Sequence, residues 1–146
     1  MINFGNNINE LLYESCDTNV LRLTIKKGNF ERFIYDAFRE EAFYWVVSTE
    51  ILKDYEEKLI EFYSVQTADL VLGILENAPN VTFAEPYFRW EIIKVDLDDN
   101  KFSDLAIACN ADYLVTNDKH FNVFKKLDFP KLNIANPKQF KKMLNW

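Results

Sequence analysis

Apolar residues recur along this chain at two periods, and the alternation between them outlines an architecture. Segment 30 to 43, FERFIYDAFREEAF, sets Phe30, Phe33, Ile34, Ala37 and Phe38 at i, i+3, i+4, i+7 and i+8, which is one face of a helix. The aromatic and β-branched run FYWVVS (43 to 48) suits a buried strand. After it, TEILKDYEEKLIEFY carries Leu52, Tyr55, Leu59 and Phe62 at helical spacing, with Ser48 placed as its N-cap. A more apolar helix follows over 65 to 77, and NAPN at 77 to 80 ends it.

Beyond Pro86 the pattern is irregular through YFRWEIIKV. DLDDN then introduces KFSDLAIAC, whose Phe102, Leu105, Ala106 and Cys109 mark another helical face capped by Asp98 or Asp99. ADYLVTND reads as a short strand ending at Thr116 and Asn117. KLNIANP is a last short strand, and Pro137 opens a terminal helix. Strand and helix thus alternate, which predicts an α/β fold with right-handed crossovers and a mainly parallel sheet covered by helices on both faces.

With 146 residues, 49% hydrophobic, and only seven glycines and prolines together, the chain reads as one folded domain over 1–146. No apolar run approaches the ~18 residues of a membrane span, and MINFGNNINELL lacks the features of a secretory leader, so a cytoplasmic location is expected. One histidine and two unpatterned cysteines cannot furnish a Cys/His zinc site; carboxylates are the abundant ligands, and they select hard cations. Charge is asymmetric. Residues 119 to 146 hold seven lysines against Asp128 alone, a net +6, which leaves −12 on residues 1 to 118.

In open parallel sheets function gathers at the carboxyl ends of the strands. Three acids sit just after expected strands, Asp17, Glu50 and Asp118, and Asp99 heads the helix that leads back to the strand carrying Asp118. Taken singly, each has a structural role to fill: Asp99 as a cap, Glu50 as a first-turn acid, Asp17 with Asn19 as an Asx turn, Asp118 as a turn residue. Together on one rim they would repel by about 4 kcal/mol per pair at ~4 Å and an effective dielectric of ~20. One or two Mg²⁺ or Mn²⁺ ions remove that conflict and are suited to phosphodiester hydrolysis.

The segments CDTNVL, VVSTEILKDYEEKL, DLDDNKFSDLAIACNADYLVTNDKHF and NIANPKQF, in that order, resemble the PIN-domain nucleases, in the VapC-like branch of toxin components of toxin–antitoxin systems. The resemblance implies a three-layer α/β/α sandwich and a metal-dependent endoribonuclease that cuts single-stranded RNA. It also implies a cognate antitoxin as partner, and a homodimer fits the same picture. Carried over by position, the catalytic and metal-binding acids fall on Asp17, Glu50, Asp99 and Asp118. Asp104 is a further candidate, acting through water or standing as an exposed helix acid. Asn19 and Thr116 fall where small polar residues orient acids. The family's first motif lies closer to its N-terminus and follows a continuous apolar strand; here residues 1–16 read as an atypical extension or a degenerate first strand, because LLYESC carries Glu14 and Ser15.

Arg89, Lys101, Lys119 and His120 flank the acids and are the candidates for RNA contacts. PYFRW (86 to 90) either packs or stacks a base. The helices over 51 to 63 and 65 to 77 have the apolar content of a docking surface. A catalytically decayed PIN-like domain that binds protein or RNA is the alternative, and the acidic pI of about 4.8 favours it slightly.

Overall fold

In the computed structural model of the chain, residues 12–146 are described, and five parallel strands form the central sheet in the order β3-β2-β1-β4-β5. The strands are β1 (Leu12–Cys16), β2 (Phe43–Val47), β3 (Val81–Phe83), β4 (Tyr113–Val115) and β5 (Ile134–Ala135). The helices are α1 (Thr18–Ile25), α2 (Arg32–Arg39), α3 (Thr49–Phe62), α4 (Val65–Asn77), α5 (Asn100–Ala108) and α6 (Pro137–Met143). Two 3-10 segments, Leu97–Asp99 and Lys119–Lys126, complete the set. The path steps one way across the sheet from β1 to β3 and the other way from β3 to β4 and β5, so right-handed crossovers cover both faces. No helix among the described residues is long and apolar enough to cross a membrane.

The expected degenerate strand is a real one at its end. Leu12–Cys16 lies at the centre of the sheet, paired with β2 on one side and β4 on the other, and Glu14, Ser15 and Cys16 are buried in it. Pairing on both edges satisfies its backbone, so two polar side chains do not undo the strand. The rest of the expected N-terminal extension lies outside the described residues.

Three elements are shorter or additional relative to the hydrophobic pattern, the third being strand β3, too short at three residues to show a period. Helix α2 stops at Arg39, short of the predicted 43, because Glu41 takes a left-handed φ of 59° and the N–H of Ala42 returns to the carbonyl of Ala37 at 2.9 Å. Helix α1, which periodicity did not mark, starts directly at the end of β1, where the Asp17 carboxylate accepts the N–H of Val20 at 2.8 Å. The Asp98 or Asp99 cap expected for α5 is replaced: Asp99 makes no side-chain cap bond, and Asp96 caps the 3-10 turn before it by accepting the N–H of Asp98 at 3.1 Å.

The core is aromatic around β2. Phe43 and Trp45 pack with Phe38 from α2 and Phe140 from α6, with edge-on ring contacts at 5.1 to 5.3 Å among them. Tyr55 of α3 is fully buried, and its hydroxyl donates to the carbonyl of Cys16 at 2.6 Å. That bond fixes α3 against the carboxyl end of β1, next to Asp17.

Candidate metal centre

Asp17 is the residue immediately after β1, and its N–H donates to the Val115 carbonyl at 3.2 Å, so it sits where β1 and β4 end together. Its carboxylate is almost fully buried. One oxygen takes the N–H of Val20; the other accepts the hydroxyl of Thr116, which itself accepts the N–H of Asp118 at 2.9 Å. Burial pushes the Asp17 carboxyl up to about 6, against the pull of the two hydrogen bonds and with the charges of Asp118 and Asp99 adding to the rise.

Asp118 follows β4 and opens the second 3-10 segment, accepting the N–H of His120 at 2.9 Å. Asp99 closes the first 3-10 segment, held at the head of α5 by Asn100, whose carboxamide bonds both the N–H and the carbonyl of Ile93 at 2.9 Å. Imidazole Nδ1 of His120 lies 2.8 Å from Asp99 Oδ2 and 3.5 Å from Asp118 Oδ1, bridging the two acids. The bond to Asp99 holds the His120 pKa above its ordinary value, while burial and the charges of Asp96 and Asp118 hold that of Asp99 up. Asp96, Asp99 and His120 offer one ligand atom each within 4.8 Å of one another.

A cavity of about 230 Å³ opens among these groups. Asp17, Asp99, Asp118 and Asp96 line it, with Thr18 and Asn19 from α1 and Phe102 from α5. Asp54 and Lys58 from α3 complete one wall, and Asp98 the rim. Asp17, Asp99 and Asp118, distant in sequence, therefore share one cavity.

Glu50 does not join them. It is half-exposed in the first turn of α3, 3.5 Å from Arg89 Nη1, and forms no part of the cavity wall. Asp54, one turn further on, takes that wall, accepting the hydroxyl of Thr18. Helical spacing does not separate the two, because Glu50 and Asp54 stand one turn apart (i, i+4) on the same side of α3; only the packed structure puts Asp54 on the cavity wall and leaves Glu50 off it. Asp96 follows no local pattern; only the loop path brings it back to the site.

The other candidates divide. Lys101 is buried between Asp54 Oδ1 at 3.2 Å and Asp98 Oδ1 at 2.7 Å, an internal counter-charge rather than a free phosphate contact. Desolvation opposes its charge, but the bonds to Asp98 and Asp54 outweigh it and its pKa is raised. Asp104 is buried, not an exposed helix acid; it accepts the N–H of Trp90 at 3.1 Å and so anchors the 84–96 loop away from the cavity. Arg89 is exposed and engaged with Glu50. Lys119 is exposed beside Asp118. In PYFRW, Tyr87 is fully exposed, while Phe88 and Trp90 meet edge-on at 4.8 Å and Trp90 meets Phe129 at 5.3 Å.

The donor set fits a hard divalent cation. It is dominated by carboxylates with one imidazole, and the buried Asp17 charge has no cationic partner among the described residues.

Fold and site define a class: a parallel α/β sheet with aspartates from separate elements converging on a pocket at its carboxyl edge. Within that class a sequence model of the PIN domain matches residues 16–120, and the chain belongs to the PIN domain family. Among curated proteins none matches the sequence. Among solved structures, the fold is similar to a chain in the crystal structure of VapBC2 from Rickettsia felis bound to a DNA fragment from their promoter. That match has a TM-score of 0.59 and 19% identity, covering 86% of this chain and 98% of that one. It is similar also to a chain in the crystal structure of FitAcB from Neisseria gonorrhoeae, at a TM-score of 0.53 and 15% identity with the same coverage.

Proposed function

We propose that this PIN domain is a metal-dependent endoribonuclease acting on single-stranded RNA, and the toxin of a toxin–antitoxin pair. The observation that carries the chemistry is the Asp17 carboxylate: almost fully buried, oriented by two hydrogen bonds, and facing the charges of Asp99 and Asp118. Such an acid is costly to keep and useful for holding a cation. Asp17, Asp99 and Asp118 would hold the principal ion, with Asp96 and His120 at its other side and Asp54 on the opposite wall. A bound Mg²⁺ or Mn²⁺ supplies Lewis acidity toward a phosphodiester and lowers the pKa of water. The chain's own groups do the rest. Thr116 and Val20 fix the Asp17 carboxylate, and Lys101 keeps Asp54 and Asp98 from adding unbalanced charge. His120, with Nδ1 2.8 Å from Asp99 Oδ2, orients that carboxylate.

The toxin assignment rests on the branch that the motifs resemble and on the likeness of the fold to chains of VapBC2 and FitAcB. The antitoxin, or a second copy of the chain, has a docking face on α3 and α4, where Ile60, Phe62, Val65 and Leu70 are exposed. RNA incubated with the purified chain should be cut with Mn²⁺ and not with chelator, and D17N should abolish the cut. Cleavage that persists in chelator overturns the reading.

A second reading, a decayed PIN domain that only binds a partner, draws on Lys101, whose ammonium already neutralises part of the acid wall. Calorimetry with Mn²⁺ separates the two: a nuclease binds the ion in a manner abolished by D17N, and a pure binder shows no such isotherm.

A further inference from the structure

The acid cavity is not isolated. It shares Asp118 with a second cavity of about 180 Å³, which in turn shares Lys125 and Ile134 with a third of about 310 Å³. The three adjoin one another in turn, from the acids at the end of β4, past residues of the Lys119–Lys126 segment and β5, to Lys131. Past Asp118 the described lining contains no carboxylate residue; it holds Lys119, Lys125 and Lys131, the amides of Asn117 and Asn122, and the half-buried ring of Tyr113. All three lysines are exposed, and among the described residues none of them is within ion-pair distance of an acid. Lys101 is the contrast, buried against two aspartates.

We infer that this groove is the track for the RNA strand on one side of the scissile phosphate, with Lys119, Lys125 and Lys131 neutralising successive backbone charges. The inference rests on the endoribonuclease reading and extends it to substrate positioning. An overall acidic chain repels a polyanion. A cationic path that begins at the cut site lets the strand approach along one side only. Amide side chains and a ring along the same path suit unpaired nucleotides, because they bond sugar and base edges or stack without demanding a sequence. The fold supplies the path because β5 is the sheet's edge strand, leaving the 3-10 segment to form the opposite bank.

The test compares wild type with Lys125→Gln/Lys131→Gln, two exposed positions that form no ion pair with the acids among the described residues. On a single-stranded RNA of about 20 nucleotides with Mn²⁺, KM should rise about five- to tenfold, with the loss in KM rather than kcat. The slope of log affinity against log salt should fall by about 1.4, at ~0.7 for each phosphate no longer neutralised. The control K26Q/K27Q, in the loop after α1, removes the same charge and should keep wild-type values. An unchanged KM and salt slope in the groove variant, or an equal change in the control, overturns the inference and leaves these lysines to an acidic protein partner. If wild type cuts no RNA, the nuclease reading fails on its own. Equilibrium binding of the same RNA then still decides the groove: binding weakened in the groove variant alone supports it, and no binding by wild type overturns it.

Discussion

The hydroxyl of Thr116 donates to Asp17 across 99 positions of sequence and, at the same oxygen, accepts the N–H of Asp118 at 2.9 Å. One side chain at the end of β4 thereby sets the orientation of the acid after β1 and the path of the loop that carries the next acid.

Thr116→Val should break that arrangement while keeping the side chain's volume. Asp17 loses its hydroxyl partner, and the N–H of Asp118 loses an acceptor. Metal affinity or activity is expected to fall roughly 10- to 100-fold, as for other residues that orient ligands. Calorimetric titration with Mn²⁺ and initial rates measure the two losses. Thr116→Ser retains the hydroxyl and should recover most of both.

The Asp17 carboxyl gives stability a pH dependence of known sign. Its pKa is raised in the fold from 3.8 to about 6, so ionisation costs more in the native chain than in the unfolded one. Stability from this group is greatest below about pH 4 and is lost as pH rises through about 6, by about 3 kcal/mol at ~1.4 kcal/mol per unit. Asp17→Asn should remove that loss and melt above wild type at about pH 8, with the gap closing near pH 4. Manganese should raise the wild-type melting temperature at about pH 8 and leave that of the variant unmoved.

Asp54 and Glu50 separate by position. Asp54→Asn uncovers half of the buried Lys101 ion pair and alters the cavity wall, so it should lower both activity and melting temperature. Glu50→Gln touches only the exposed pairing with Arg89 and should change stability by less than about 0.5 kcal/mol, with cleavage retained. Denaturant melts together with cleavage assays of the two variants measure this; equal effects would return Glu50 to the site.

Glu14 is fully buried in β1 with no hydrogen-bond partner for its carboxylate among the described residues. Burial, and then the charge of Asp112, raise its pKa well above the ordinary carboxylate value. The native chain therefore holds this proton to higher pH than the unfolded chain does, and stability falls as pH climbs above the unfolded value near 4.5. Glu14→Gln should melt higher than wild type at about pH 8, with a smaller difference at about pH 5. Thermal melts across that range read the effect.

What the chain settled by itself was the order of most elements and three acids, Asp17, Asp99 and Asp118, that the fold brings to one cavity. Strands β2, β4 and β5 and helices α2, α3 and α4 follow from periodicity, caps and prolines, all of which act between residues a few positions apart. Asp17, Asp99 and Asp118 could be picked out because the ends of parallel strands are places that topology forces together. Tertiary structure decided the rest. Helix α1 forms despite four β-branched residues in TNVLRLTI, held by the Asp17 cap and by packing on α3. The central place of β1 depends on neighbours that satisfy its backbone whatever its side chains are. The exchange of Glu50 for Asp54, the withdrawal of Lys101 into an ion pair and the turn of Asp104 toward Trp90 are choices among side chains of equal local fitness. Local sequence cannot rank them, because the electrostatic and desolvation energies that do so arise between groups brought near only once the sheet has closed.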